Sequence, residues 1–383
     1  MKPWLFWSRV SKSCRNSRAV QLEPLRAVLQ EVAQRLQDNF PYPHPLYAGQ
    51  MLKPPHPVAQ LAYMLAQYLN PNNHALDGGR ASSAMEKEAV ANIAHMFGYE
   101  THLGHLCAGG TAANLEALWV ARQACTQGLV LASEQAHYTH ARMCEVLQLP
   151  FQSVVVDTAG RMDMNALEGI LKRERVATVA ATLGTTALGA VDPLHEIMQL
   201  RERYGFRVHV DAAYGGYFTL ADNLDGATRA AFDAVAQADS IVVDPHKHGL
   251  QPYGCGCVLL RNPSEGRFYQ HQSPYTYFTS AELHLGEISL ECSRPGAAAV
   301  ALWATQRLLP MVPGGEFARG LEAAHRAALG LHRHLANSEH YLAGPAPELD
   351  IVVWTMAAPG RQAASRRAQA VFDGAAQRQL HLA

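Results

Sequence analysis

The stretch VATVAATLGTTALGAVDPLHEIMQLRERYGFRVHVDAA, residues 176–213, decides the fold class. Its first segment, VATVAATLG, is a short continuous apolar run, which reads as a strand buried on both faces. PLHEIMQLRERY then reads as an amphipathic helix. FRVHVDAA returns as a second apolar strand and ends at Asp211. A strand, a crossover helix and a second strand form the unit of a parallel sheet.

The same alternation extends both ways. Upstream, LGHLC, LVLAS and FQSVVVD read as strands. Between them TAANLEALWVARQA, YTHARMCEVLQ and MNALEGILKR read as helices, with Gly128 stopping the first. Downstream, ADSIVVD and GCGCVLL read as further strands. The expectation is an α/β protein with a mostly parallel sheet covered by helices on both faces. Ligands of such sheets sit at the carboxyl ends of the strands.

Outside this block the pattern changes. Residues 20–38 carry Leu22, Leu25, Val28, Leu29, Val32 and Leu36 at helical spacing. PYPHPLYAGQMLKPPHP, residues 41–57, must be extended or looped. It reads equally as a packed surface loop and as a segment covering a site or reaching a partner subunit; Tyr42, His44, Tyr47 and Lys53 lie in it. Pro57 opens a helix to about Leu69, and Ser83 with Glu86 forms a capping-box pattern for the next, which Gly98 stops. After about residue 310 come a helix, one strand (ELDIVVWTM) and another helix, a small α+β unit expected to be incomplete, with another strand starting at the final LHLA. The expected division is 1–75, an N-terminal helical and extended segment; 76–310, the large domain; and 311–383, the small domain.

Composition narrows the function classes. With 383 residues, 48% hydrophobic, 17% charged and a formal net charge of −1, the chain has material for a large core and no basic excess for nucleic acid. No stretch approaches the ~20 apolar residues of a membrane span. The N-terminal cluster Trp4-Leu5-Phe6-Trp7 is shorter than a secretory core of about 7–15 apolar residues. Seven scattered cysteines, an odd count with no CxxC pair, fit reduced thiols in a cytoplasmic protein. Cys255-Gly256-Cys257 reads as part of a buried strand rather than a metal site, because no second ligand pair has zinc-site spacing. A small molecule is the expected partner.

Four groups of residues fall at strand ends. Cys107-Ala108-Gly109-Gly110-Thr111 passes from a strand to a helix start, where exposed N–H groups and the Thr111 hydroxyl can hold an anion; it is equally an ordinary turn. His137 can stack on a flat heterocycle or serve as a core histidine. Asp211 ends an apolar strand, where an unpaired carboxylate is costly, so it needs a cationic or hydrogen-bonding partner. A protonated pyridine nitrogen would supply one, with the small Ala213 leaving room for the ring; a structural Arg or backbone partner would serve as well. Lys247, in DPHKHG after the strand SIVV, is poorly placed for a solvated role, and desolvated lysines form imines with aldehydes. Taken together, a phosphate cup, a stacking ring, a carboxylate for a ring nitrogen and an imine-forming lysine match the needs of pyridoxal 5′-phosphate.

At these residues the chain resembles the pyridoxal-phosphate-dependent (group II) amino acid decarboxylases of fold type I, the aromatic amino acid, glutamate and tyrosine/aspartate decarboxylase group. The resemblance runs from about residue 45 to 310 through AGGTAANLEAL, SEQAH, ATLGTTALGAVDP, HVDAAYGG, DSIVVDPHKHG and ECSRPGAAAVALWA. It implies a seven-stranded sheet, a homodimer and decarboxylation of an aromatic or acidic L-amino acid. By matching position it implies that Lys247 holds the cofactor imine, Asp211 pairs with the pyridine nitrogen and His137 stacks on the ring. It also implies that Gly109, Gly110 and Thr111 hold phosphate with Asp244 and His246 nearby, that Thr186 lies beside the ring, that Asp192 matches the acid of the same ATLGTTALGAVDP motif, and that Arg294 is a site arginine among the cofactor-binding residues, stabilising the architecture near the cofactor. Tyr275 and Tyr277, in the segment after the last strand, are candidates for delivering a proton to the α-carbon, as is His246. Two positions depart from the family: Ala112 stands where an acid is common, and Asp244 where many relatives have Asn. A second carboxylate near phosphate would repel it unless it turns away or is neutralised. The sphingosine-phosphate lyases share HK-x-G and SRPG, which keeps C–C lysis as an alternative; a non-catalytic binding relative is a third reading.

Overall fold

A computed structural model describes residues 22–49, 51–74, 78–125, 127–270 and 289–383. Two compact units emerge, residues 1–48 and 49–383. In the first, helix α1 (Leu22–Leu36) carries its apolar residues Leu25, Val28, Leu29 and Val32 exposed.

The second unit is built on a seven-stranded sheet. Its strands are β1 (Leu103–Cys107), β2 (Leu129–Ser133), β3 (Phe151–Val154), β4 (Val176–Thr182), β5 (Arg207–Asp211), β6 (Ser240–Val243) and β7 (Gly256–Leu260), in spatial order β1-β7-β6-β5-β4-β2-β3. Only β7 runs antiparallel to its neighbours, so the sheet is mostly parallel, as expected. The central strands are buried nearly end to end, which is why they read as continuous apolar runs rather than alternating ones. Short helices cross between strands: α4 (Gly110–Ala124), α5 (Thr139–Val146), α6 (Met164–Leu171), α7 (Leu194–Tyr204) and α8 (Gly226–Asp233). Local chemistry sets their ends. Asp163 accepts the Ala166 N–H to cap α6, and Gly205, at φ 71°, closes α7 in the left-handed region that L side chains avoid.

Two expectations for this unit change. Pro57 does open α2 (Pro57–Gln67), but the next helix, α3 (Arg80–Met96), begins ahead of Ser83 and Glu86, so they are no capping box. Both are buried inside the helix, and Glu86 faces inward to an ion pair described below. Similarly, ELDIVVWTM is not one strand. Only Trp354–Met356 (β9) is, paired antiparallel with β8 (Tyr341–Ala343), which lay unrecognised in the sequence. The apolar residues ahead of it serve packing instead: Leu349 is fully buried, and Leu349 and Ile351 cover Gly184 and Gly189 of the loop after β4. Helices α9 (Gly296–Leu308), α10 (Glu316–Ala336) and α11 (Arg361–Gln377) complete the described elements used here, and His381–Leu382 forms the short terminal strand that LHLA suggested.

Because β1, β2, β4, β5 and β6 run in one direction, their carboxyl ends meet along one edge of the sheet. The loops leaving them converge there, and the antiparallel β7 starts from the same edge.

Candidate active site

A cavity of about 630 Å³ opens at that edge. It is lined by Gly109, Gly110 and Thr111 after β1, His137 after β2, Thr186 after β4, Asp211 and Ala213 at the end of β5, and Asp244, His246 and Lys247 after β6. Residues up to 138 positions apart, four of them read as independent strand-end features, thus share one wall. Tyr275 and Tyr277 lie outside the described residues.

The wall divides into two ends by chemistry. At one end α4 begins at Gly110, with its first N–H groups unpaired by the helix and open to an anion. Close approach explains the glycines: a Cβ at Gly110 would sit 2.8 Å from Asp244 Oδ2, and Gly109 has φ 155° with the His246 ring 3.3 Å from where its Cβ would be. Asp244 is buried, with Oδ2 3.1 Å from Lys247 Nζ and 3.5 Å from His246 Nε2. Burial pushes its carboxyl up from the usual range, against the pull of Lys247 and His246. His246 Nδ1 lies 2.8 Å from the Cys255 carbonyl, so that nitrogen carries the hydrogen and fixes the ring.

At the other end Asp211 is held by three donors. His140 Nε2 lies 2.9 Å from Oδ2, Asn114 Nδ2 3.3 Å from the same oxygen, and the Ala213 N–H 3.1 Å from Oδ1. Burial alone would raise this carboxyl; the hydrogen bond from His140, with the Lys247 ammonium nearby, outweighs it and keeps the group well below the ordinary carboxylate range. His137 is half-buried, its Nδ1 accepts the Thr139 N–H at 3.2 Å, and burial lowers its pKa, so a neutral ring flanks the cavity. Three buried polar atoms on the wall, Thr139 Oγ1, Thr182 Oγ1 and Asp244 Oδ1, have no partner among the described residues. An anion-binding helix start, a lysine, a stacking ring, an ionised carboxylate and unsatisfied wall atoms suit a flat, phosphorylated, aldehyde-bearing pyridine.

Comparison with known sequences agrees with that chemistry. Residues 16–338 match the pyridoxal-dependent decarboxylase conserved domain. The chain belongs to this pyridoxal-dependent decarboxylase family. It is 29% identical over 406 residues to an L-tyrosine decarboxylase of Enterococcus faecium, covering 78% of this chain and 66% of that protein. It is 28% identical over 321 residues to a probable L-tyrosine/L-aspartate decarboxylase of Methanothermobacter thermautotrophicus, covering 82% and 83%. The chain therefore spans just under two thirds of the Enterococcus relative. The crystal structure of Oryza sativa TDC with PLP and tryptamine superposes with a TM-score of 0.85 at 18% identity, over all of this chain and 84% of that one, which establishes the shared fold.

Arg294 has the architectural part of its expected role and not the cofactor-binding part. It does not line the cavity. Its Nη1 lies 2.5 Å from Glu86 Oε1 and 2.8 Å from the Leu106 carbonyl, and Nη2 lies 2.8 Å from the Asn73 carbonyl. Glu86 in turn accepts the Leu106 N–H at 3.0 Å. This buried pair holds the end of β1, from which the Gly109–Gly110 turn departs. Asp192 is likewise architectural. Fully buried and pushed up to about 6 by burial, it accepts the Met162 and Thr182 N–H groups at 2.7 and 2.8 Å.

The sequence reading missed His140, Asn114, Tyr214 and Tyr253. His140 stands three residues after His137, one helical turn apart, a spacing that could have paired them. Asn114 was quoted within its motif without a role. Tyr214 donates its hydroxyl to Asp350 at 2.6 Å, while Asp350 also meets Lys53 at 3.0 Å and His248 at 3.1 Å. That cluster ties the segment around Leu349 to the loop carrying Lys247 and gives Lys53 a buried partner. No local pattern marks it, because its members lie up to 297 positions apart.

Proposed function

We propose that this chain is a pyridoxal-phosphate-dependent carboxy-lyase that removes the carboxylate of an L-amino acid as carbon dioxide and leaves the amine. The observation that carries this is the convergence of Lys247, Asp211 and His137 on one cavity beside the helix start at Gly110. Held by Lys247, pyridoxal phosphate supplies an electron-poor ring that accepts the bonding pair left when carbon dioxide departs. Around it, the Gly109–Thr111 turn is positioned to bind phosphate, the His137 ring to cover a face, and Ala213 to leave space for the ring. Asp211 keeps a negative charge on its part of the wall, which favours a protonated ring nitrogen. Asp244 pairs with the Lys247 ammonium at 3.1 Å and can keep that amine in place when it is displaced. His246 and the tyrosines at 275 and 277 remain the candidates for returning a proton to the α-carbon.

The lining favours an aromatic over an acidic side chain. Lys247 is the single Lys or Arg on the described wall, beside two carboxylates, whereas Tyr138, Met143, Leu115, Tyr214 and Tyr253 offer apolar and aromatic surface. An acidic substrate would need a cation there. The segment 271–288 contains tyrosines and a phenylalanine and no Lys or Arg. The same lack of a basic cluster counts against C–C lysis of a second-phosphate substrate. Names among the relatives, tyrosine and tyrosine/aspartate decarboxylase, support the aromatic choice first.

A homodimer and a cytoplasmic location belong to the same proposal. No helix among the described residues is long and apolar enough to cross a membrane. The exposed apolar residues Leu61, Met64, Leu65 and Leu69 on and just after α2 give a second copy a surface to cover.

The test is the visible absorption of purified protein with pyridoxal phosphate, before and after borohydride, in wild type and Lys247→Ala. A borohydride-sensitive band present in the first and absent in the second is expected. Carbon dioxide release is then measured with tyrosine, aspartate, glutamate and diaminobutyrate, tyrosine being fastest. Absence of the band in wild type refutes the proposal.

A further inference from the structure

The Asp211 carboxylate is shared between the cavity and a buried polar chain. Ser240 Oγ lies 2.8 Å from His209 Nδ1, His209 Nε2 2.7 Å from Asn114 Oδ1, Asn114 Nδ2 3.3 Å from Asp211 Oδ2, and His140 Nε2 2.9 Å from that same oxygen. Every member is buried. The roles along the chain follow from what each atom can do. An ionised carboxylate only accepts, so His140 Nε2 must carry its hydrogen. His140 Nδ1 has no partner among the described residues, so the hydrogen that this ring donates is the one on Nε2. Burial pushes the His209 ring down to about 3, so this ring is neutral: Nε2 donates to the Asn114 carbonyl, and Nδ1 accepts from Ser240.

The donors are unequal. Asn114 Nδ2 also serves the Gly110 carbonyl, at 2.8 Å, and reaches Asp211 only at 3.3 Å. The Ala213 N–H serves the other oxygen. His140 is the short side-chain donor to Oδ2, and it comes from α5, just beyond the turn that carries His137.

We propose that His140 is a positioning residue for the cofactor's ring: its Nε2–H holds Asp211 in the orientation and charge state that a pyridine nitrogen needs, so that Oδ1, which accepts only the Ala213 N–H among the described residues, can accept a second hydrogen bond from the ring. This rests on the reading of the cavity as a pyridoxal phosphate site. One histidine pair on α5 and the turn before it then has two duties, His137 at the ring face and His140 at the acid that anchors the ring's far edge.

The test titrates apoprotein with pyridoxal phosphate, followed by the visible spectrum and tryptophan fluorescence, in wild type, His140→Leu and His140→Gln. Removing a hydrogen bond to a charged group should weaken cofactor binding roughly ten- to hundred-fold in His140→Leu. The absorption band of the bound cofactor should shift, with the melting temperature of the apoprotein staying within a few degrees. His140→Gln, whose amide N–H reaches the Nε2 position, should restore most of the affinity and the wild-type band. Should His140→Leu fail to fold, His140→Asn takes its place, since its amide reaches only the Nδ1 position and should bind like the Leu variant. Affinity and spectrum unchanged in His140→Leu, or no rescue by Gln, would overturn the proposal. A wild type without the Lys247-dependent band overturns the cavity reading itself, and this proposal with it.

Discussion

Two aspartates share one cavity and are kept in opposite conditions. Asp211 and Asp244 each end or follow a central strand, and each is almost wholly buried. Burial by itself would raise both carboxyls. At Asp211 three donors, led by His140, reverse that and keep the acid ionised. At Asp244 the partners are the Lys247 ammonium and a 3.5 Å contact from His246, Oδ1 has no partner, and burial prevails. Proximity to the cavity does not decide what a carboxylate does there; the number and aim of its donors do. One acid is arranged as a fixed charge for a ring nitrogen, the other as a companion for the lysine beside an anion site.

The largest effect should come from removing the lysine proposed to hold the cofactor between the two acids. Lys247→Ala should reduce carbon dioxide release on the order of 10⁴-fold or more, measured under single-turnover conditions with tyrosine. Next is the contrast between the acids themselves. Asp211→Asn keeps the shape but loses the charge, leaving His140 and Asn114 donating to a neutral amide, and should cost about 2–5 kcal/mol in cofactor affinity or turnover. Asp244→Asn should change cofactor affinity by less than about ten-fold and in the favourable direction, since it removes a carboxylate from beside the phosphate site. Equal losses in the two variants, by pyridoxal phosphate titration, would break the comparison.

A third test addresses the frame that brings Asp244 and the Gly109–Gly110 turn together. Arg294→Ala leaves Glu86 charged and buried without its partner and should destabilise the protein by about 3–5 kcal/mol in urea unfolding. Because Arg294 lies outside the cavity, the absorption band of whatever protein remains folded should keep its position.

The smallest effect is on pH. His209 is held near 3 by burial, below its usual 6.5, so between those values the unfolded state binds more protons than the native one. Stability from this group is therefore full above about pH 6.5 and is lost as pH falls towards 3. Asp192, raised to about 6, acts in the opposite sense: its native form holds a proton that the unfolded state gives up between 3.8 and 6, so its contribution declines as pH rises through that window. Urea midpoints measured from pH 7 down to pH 4 should fall less steeply in His209→Gln than in wild type.

Much of the fold was readable because short apolar runs leave a local signature, and each of the seven strands carried one. The short strand Tyr341–Ala343 left none, being three residues with half-exposed faces. ELDIVV carried a false one, since Leu349 and Ile351 are apolar for the sake of Gly184 and Gly189 rather than for a strand neighbour. Ser83 and Glu86 misled for a similar reason: a capping box and a buried ion-pair ligand look alike in sequence.

The order of strands and helices and the strand-end positions of Gly110, His137, Asp211 and Lys247 follow from the chain read residue by residue, because periodicity, turn residues and the cost of stranding a polar group in an apolar run are local properties. What those groups meet depends on the folded chain. That His140 reaches Asp211 across 71 positions, that Arg294 answers Glu86 across 208, and that Asp350 closes on His248 and Lys53 depends on how separate segments are laid side by side. The charge of a buried carboxylate is set by donors within about 3 Å of it, and no spacing along the chain specifies which donors those will be.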